Sequence, residues 1–222
     1  MLRTLRADVR EGMAYVWGHP VLRSIAVTSA VVNLFASTAL AQIVLYAKRQ
    51  LSASDGEVSF LIAAGAGGVV LVSLVTSRLR RFPLGRVLVV SVALNGITIL
   101  GMGLTSNYVV AVVLWAINNA MTVLFSINTM TLRQQIVPDR LLGRVMTVSL
   151  VLAWSVIPVG ALAGGFVVAR TSIGPVLIAI GVVIVVTSAV AAGSALGRAR
   201  AVPDEPGGDR DDQAVDGRVE AR

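Results

Sequence analysis

Seven residues on one predicted helix have the chemistry to bind a polar solute within an otherwise apolar segment. They recur at intervals of one, three or four residues: Trp115, Asn118, Asn119, Thr122, Ser126, Thr129 and Arg133. At about 100° per residue, these positions fall within roughly 100° of arc and form one stripe along the helix. Lipid offers no hydrogen bonds to such a stripe, so it must face protein or water.

The chemistry of this stripe is hydrogen bonding, and two interpretations are open. Amides inside a membrane commonly mark a solute pathway, which favours Asn118, Asn119, Thr122 and Ser126 as residues that line a cavity. A shorter polar stripe on the first predicted span adds Asn33 to these candidates. The alternative is that the same side chains join neighbouring helices, with each contact contributing about 0.6–2 kcal/mol.

Residues for catalysis or metal binding are scarce. The chain has no cysteine and a single histidine, so it offers neither thiolate ligands nor a histidine cluster. No Asp or Glu lies inside a predicted span, since Asp55, Glu57 and Asp139 stand at helix ends. We therefore expect no enzymatic activity, no metal site and no cofactor.

The apolar segments exclude a soluble globular domain. Of the 222 residues, 55% are hydrophobic and 14% are charged, against about 25% charged residues in a typical soluble domain. Five stretches contain no Asp, Glu, Lys or Arg: 24–47, 58–77, 87–132, 145–169 and 171–197. A membrane-spanning helix needs about 20 apolar residues, so four stretches hold one span each and the longest holds two. The predicted fold is an all-α bundle of six transmembrane helices in the lipid bilayer.

Three regions are expected from this pattern. Residues 1–20 are predicted to form an interfacial amphipathic helix or linker, 21–198 the six-helix bundle, and 199–222 a disordered cytoplasmic tail. The predicted spans are 22–46, 57–78, 84–104, 108–133, 141–169 and 173–197.

The basic residues predict the orientation of the bundle. Six spans place both termini and the second and fourth loops on one side, which holds sixteen of the nineteen Lys and Arg residues. Basic residues are retained on the cytoplasmic side during insertion, so both termini are predicted to be cytoplasmic in the cell membrane. The net charge of +7 does not indicate nucleic-acid binding, because the basic residues lie between apolar runs and not along one soluble face.

Four arginines on the predicted cytoplasmic side are candidates for a gate, meaning contacts made in only one conformational state, or for fixing the topology. Arg78 and Arg81 lie at the second loop, while Arg133 and Arg144 flank the fourth. Contact with lipid phosphates contributes about 1 kcal/mol per arginine, whereas a gate requires an acidic partner such as Asp139. Arg133 lies slightly inside the predicted membrane boundary, where it either snorkels outward or faces a cavity.

Small residues and one proline predict where the helices pack and bend. Gly160 and Gly164 form a small-xxx-small contact in the fifth span, and Gly68 lies in a glycine-rich part of the second. Pro158 is predicted to kink the fifth span.

Four segments carry a resemblance to a known family. Two are turns: 68–86, with its basic loop, and 131–145, which contains Arg-Gln-Gln-Ile-Val-Pro-Asp-Arg-Leu-Leu-Gly-Arg. The others are 152–165 in the fifth span and 8–23 before the first. In this order they resemble the C-terminal six helices of major facilitator superfamily transporters, of the drug and siderophore exporter type.

The resemblance implies secondary active transport, with efflux of a small molecule by alternating access. It also implies a second bundle as partner, either an N-terminal six-helix bundle or, in a homodimer, a second copy of the chain. A rival hypothesis is a truncated or non-transporting membrane fragment, which transports nothing without such a partner.

Overall fold

The computed structural model describes residues 2–79 and 81–199, which are almost entirely helical. These residues form nine helices and no strand. The helices are α1 (Leu2–Gly18), α2 (Pro20–Ala41), α3 (Ile43–Arg49), α4 (Asp55–Leu79), α5 (Leu84–Leu104), α6 (Tyr108–Ile136), α7 (Asp139–Trp154), α8 (Val156–Arg170) and α9 (Ile173–Gly193). The all-α prediction is therefore confirmed. The predicted tail over 199–222 lies, apart from its first residue, outside the described residues.

Six stretches of the described chain are long and apolar enough to cross a membrane. They are Pro20–Ala41, Asp55–Thr76, Leu84–Leu104, Tyr108–Ile136, Asp139–Arg170 and Ile173–Gly193. The fifth combines α7 and α8, whereas α1 and α3 are not among the six. The predicted bundle of six transmembrane helices is therefore confirmed.

Helix α5 holds the bundle together. It packs along both α9 and α6, and its fully buried side chains include Ile99 and Met102. These two residues share a core cluster with Leu177 and Ile184 of α9. Helix α4 packs mainly on α6, and α2 packs mainly on α8. Because lipid is as apolar as these side chains, close packing is the main force between such helices.

Three of the glycines singled out in the sequence lie where two helices meet closely, two of them against backbone and one against a side chain. A methyl group at Gly68 of α4 would overlap the carbonyl of Ala116 on α6. A methyl group at Gly160 of α8 would overlap the carbonyl of Leu34 on α2, and one at Gly164 would overlap Thr38. The small residues thus permit the α4–α6 and α2–α8 contacts.

The first span contains a break that differs from the continuous helix predicted over 22–46. Gln42 leaves the helical conformation with a ψ angle of 7°, so that α2 ends before it and α3 begins after it. The break brings α3 against the end of α5, where Tyr46 donates a 2.9 Å hydrogen bond to the carbonyl of Met102. Nε2 of Gln50 donates 3.1 Å hydrogen bonds to the carbonyls of Gly103 and Thr105. These carbonyls lie at the helix end and have no partner within α5 itself.

The fifth span is interrupted at Ser155, between α7 and α8. Pro158 follows three residues later and lacks the N–H group that would bond to the carbonyl of Trp154. The proline thus removes one backbone hydrogen bond of the helix beside the interruption, and the kink itself stays a prediction.

Residues 1–20 contain α1, which packs against α7. Glu11 of α1 forms an ion pair with Arg144 of α7. One position further, Gly12 lies so close to α7 that a methyl group there would come within 3.1 Å of the Arg144 carbonyl oxygen. The placement of α1 in the membrane interface stays a prediction.

Candidate functional site

A polar cavity of about 140 Å³ lies between α2, α5, α6 and α7. Its polar lining consists of Ser29, Asn33, Ser91, Asn95, Thr122, Ser126, Thr129 and Arg133. Its apolar lining consists of Val32, Val92, Met121, Phe125, Leu150, Ala153 and Trp154. Larger grooves of about 450 and 530 Å³ flank α2 and α9, but their walls are almost wholly apolar. A further pocket of about 420 Å³ is lined by Arg49, Gln50, Thr171 and Ser172, which stand at the ends of α3 and α8 and before α9. The smaller cavity is the one whose polar groups lie along the middle of the spanning helices.

Three of the predicted cavity residues line this cavity: Asn33, Thr122 and Ser126. Thr122 stands at the midpoint of the 29-residue helix α6, and both it and Ser126 are exposed on the surface of the bundle. Asn33 is half-buried, and its Nδ2 donates a 3.0 Å hydrogen bond to the carbonyl of Ala153 on α7. Two helices thus present polar groups at membrane depth.

The remaining two predicted cavity residues, Asn118 and Asn119, do not line it. Nδ2 of Asn118 donates hydrogen bonds to Oγ1 of Thr98 (3.1 Å) and to the carbonyl of Asn95 (3.3 Å), both on α5. Nδ2 of Asn119 donates a 2.8 Å hydrogen bond to the carbonyl of Trp115 within α6. Asn118 therefore joins two helices, and Asn119 bonds within its own.

Sequence reasoning missed Asn95, which is the most enclosed polar residue of the cavity lining after Ser91. Its Nδ2 donates a 2.8 Å hydrogen bond to Oγ1 of Thr122, and its Oδ1 is buried without a hydrogen-bond partner among the described residues. The signal was present in the sequence, because Ser91, Asn95 and Thr98 follow one another at intervals of four and three residues. That spacing places them on one face of α5, which meets α6.

Arg133 closes the end of the cavity in the last turn of α6. Only 7% of its surface is exposed, and it forms no ion pair or hydrogen bond with the described residues. Of the two placements open at the sequence level, the structure has the arginine at the cavity. It is one turn away from Thr129, whose Oγ1 donates a 2.6 Å hydrogen bond to the carbonyl of Phe125.

Comparison with known protein families gives a match to the family described as transmembrane secretion effector, over residues 2–222. The chain belongs to that family. Its members are transporters of the major facilitator type, so the chain is a multi-pass membrane protein of a transport family. A comparison with curated proteins gave no match.

Three further arginines singled out in the sequence lie outside the cavity. Arg78, at the end of α4, and Arg81, in the turn that follows, are exposed. Arg144 is about half-exposed and pairs with Glu11. The role of these arginines as gate or topology residues stays a prediction.

Proposed function

We propose that this protein exports a small molecule across the cell membrane by alternating access, as the C-terminal bundle of a transporter of the drug and siderophore exporter type. The observation that supports the proposal is the polar cavity with Thr122 at the midpoint of the spanning helix α6. Polar side chains at that depth are costly unless they bond to protein, water or a solute. Ser126 and Thr122 are exposed on the bundle, so a solute in the cavity meets their hydroxyl groups.

A second six-helix bundle completes the pathway in this proposal. The cavity is bounded by α2, α5, α6 and α7, and large apolar side chains such as Trp154 and Leu150 stand exposed at its rim. Exposed residues of this kind suit contact with another apolar surface. Either an N-terminal bundle or a second copy of the chain supplies that surface, and rocking of the two bundles opens the cavity to each side in turn.

The proposed orientation places both termini in the cytoplasm. Arg78 and Arg81 then lie beside the anionic inner leaflet, where basic residues are favoured. The cavity end marked by Arg133 faces the cytoplasm, and the cavity runs from there toward the membrane centre at Thr122.

The test is a gene deletion in the native host, complemented with the full chain and with single variants. Compounds in the culture medium are compared by mass spectrometry, and growth is measured on a panel of toxic compounds. Wild type is expected to restore export of at least one compound. Ser126→Leu, which fills the cavity and removes a hydroxyl, is expected to abolish that export at equal protein level.

Thr187→Leu is the matched control. Thr187 lies on α9, donates a 2.8 Å hydrogen bond to a carbonyl of its own helix, and is not part of the polar cavity. It is expected to export like wild type. If the deletion changes no exported compound and no tolerance, the chain does not transport, and the non-transporting fragment is the better hypothesis.

A further inference from the structure

Arg133 is the one charged side chain in the lining of the polar cavity, within the described part of the chain. The acidic side chains described elsewhere in the chain have other partners or form no ion pair with Arg133. Glu11 pairs with Arg144 and Asp55 with Lys48, while Glu57 accepts hydrogen bonds from Ser54. Asp139 is exposed at the start of α7 and forms no ion pair with the arginine.

The cost of this burial is only partly offset by the helix. A cation in the last turn of a helix is stabilised by the carbonyl end of the macrodipole, and Arg133 occupies that turn of α6. The guanidinium nevertheless carries five N–H donors and a full positive charge. A buried charge without a partner is strongly disfavoured. The cavity therefore favours a ligand that supplies negative charge.

The rest of the lining indicates the shape of that ligand. Thr122 and Arg133 are eleven positions apart on α6, or about 16 Å along the helix axis. The volume of about 140 Å³ holds a body about the size of one aromatic ring. Between them the wall alternates hydroxyl groups with Phe125, and Trp154 lies on the opposite helix.

We propose that the cavity binds a small organic anion. A carboxylate or comparable anionic group bonds to Arg133, and the apolar body lies along α6 against Phe125 and Trp154. This inference rests on the proposed function, because it names the chemical class of the exported solute. A bidentate contact between a guanidinium and a carboxylate is among the strongest hydrogen-bonded pairs in proteins.

The test uses the purified full chain in nanodiscs of zwitterionic lipid, with benzoate as the anionic probe and benzamide as its neutral counterpart. A cavity of about 150 Å³ accepts a benzene ring in other proteins, so the probe matches the measured volume. Binding is followed by saturation-transfer NMR. Benzoate is expected to bind about tenfold more tightly than benzamide, as a charge-assisted contact implies.

Single variants distinguish the contribution of Arg133 to benzoate binding from that of the residues around it. Arg133→Gln is expected to reduce benzoate binding to the level of benzamide, and Arg133→Lys to retain part of it. Arg140→Gln, at an exposed arginine beside the same end of α6, is the matched control and is expected to bind like wild type. Ser126→Leu keeps the arginine and fills the cavity, so it keeps the proposal testable if Arg133→Gln does not fold.

Three results overturn the inference. One is equal binding of benzoate and benzamide by wild type; a second is undiminished benzoate binding by Arg133→Gln or by Ser126→Leu. Wild type that binds neither probe, while Arg133→Gln loses export in cells, also overturns it and indicates a carboxylate of the second bundle as the partner. Arginine-dependent benzoate binding without any export in cells leaves the anion site standing and removes the proposed function.

Discussion

Oγ1 of Thr38 on α2 donates a 2.7 Å hydrogen bond to the carbonyl of Gly160 on α8, 122 residues further along the chain. The bond is buried, and it forms because Gly160 lets α8 approach α2 to backbone contact. An oxygen already bonded within its helix thus accepts a second bond from a neighbour. This pair fixes the wall of the bundle beside the cavity residue Asn33.

The contact predicts that Gly160→Ala destabilises the protein strongly. The added methyl group overlaps the Leu34 carbonyl, so α2 and α8 must separate, at a cost of about 2 kcal/mol or more. Thr38→Val leaves the helices in place and removes one hydrogen bond, with an expected cost of about 1 kcal/mol. Thermal unfolding in detergent, followed by loss of monodisperse protein, measures both. A larger loss for Thr38→Val than for Gly160→Ala would contradict the packing argument.

Adjacent glycines on α4 give a second, internally controlled prediction. Gly68→Ala is expected to lower the unfolding temperature, because its methyl group meets the carbonyl of Ala116 on α6. Gly67→Ala is expected to leave stability unchanged or to raise it by up to about 1 kcal/mol, since alanine favours helix more than glycine. Nothing lies within 4 Å of a methyl group at Gly67. The two substitutions are chemically identical and one position apart, so equal effects would mean that α4 does not pack as described.

The number of spans was predictable because charge is excluded from lipid. Charged residues such as Asp55 and Arg170 stand at or beyond the ends of the apolar runs. There are five such runs, and the longest is long enough for two spans, which gives six. The break at Gln42 was not predictable in the same way. Glutamine is an ordinary helix former, and the break is held by contacts of α3 with the distant end of α5.

The sequence predicts that the polar residues of α6 share one face of the helix. It does not predict which of them line the cavity and which bond to α5. Spacing along one helix does not distinguish Thr122 from Asn118, which are only four positions apart. The difference comes from α5, because Asn95 and Thr98 lie beside Asn118 and accept its hydrogen bonds. The placement of the Arg133 side chain could not be predicted for the same reason, because its burial depends on the helices that surround it.

This division predicts different phenotypes for two substitutions on the same helix. Asn118→Leu is expected to lower stability by about 1–3 kcal/mol, because it removes two hydrogen bonds between α5 and α6 and leaves buried acceptors unpaired. Any protein that still folds is expected to keep its selectivity among exported compounds. Ser126→Ala is expected to do the reverse, with unchanged thermal stability and altered selectivity. Export profiles and unfolding temperatures of both variants decide between these outcomes.

The predicted orientation is testable directly because the chain contains no cysteine. Single cysteines at exposed loop positions react with a membrane-impermeant maleimide only where the loop faces the reagent. Ser106→Cys lies in the turn between α5 and α6, and Asp139→Cys lies at the exposed start of α7, just after the turn that follows α6. These turns are at opposite ends of one helix of 29 residues, which is about 43 Å long and so exceeds the membrane core of about 30 Å.

In intact cells, Ser106→Cys is expected to react and Asp139→Cys to stay unlabelled until the membrane is permeabilised. The physical reason is the excess of arginine around the turn between α6 and α7, which includes Arg140 and Arg144. Such basic residues are retained in the cytoplasm during insertion. Labelling of Asp139→Cys from outside would reverse the bundle and place Arg133 at the outer end of the cavity. An exported anion would then meet the arginine last instead of first, so the orientation decides whether Arg133 captures the solute or releases it.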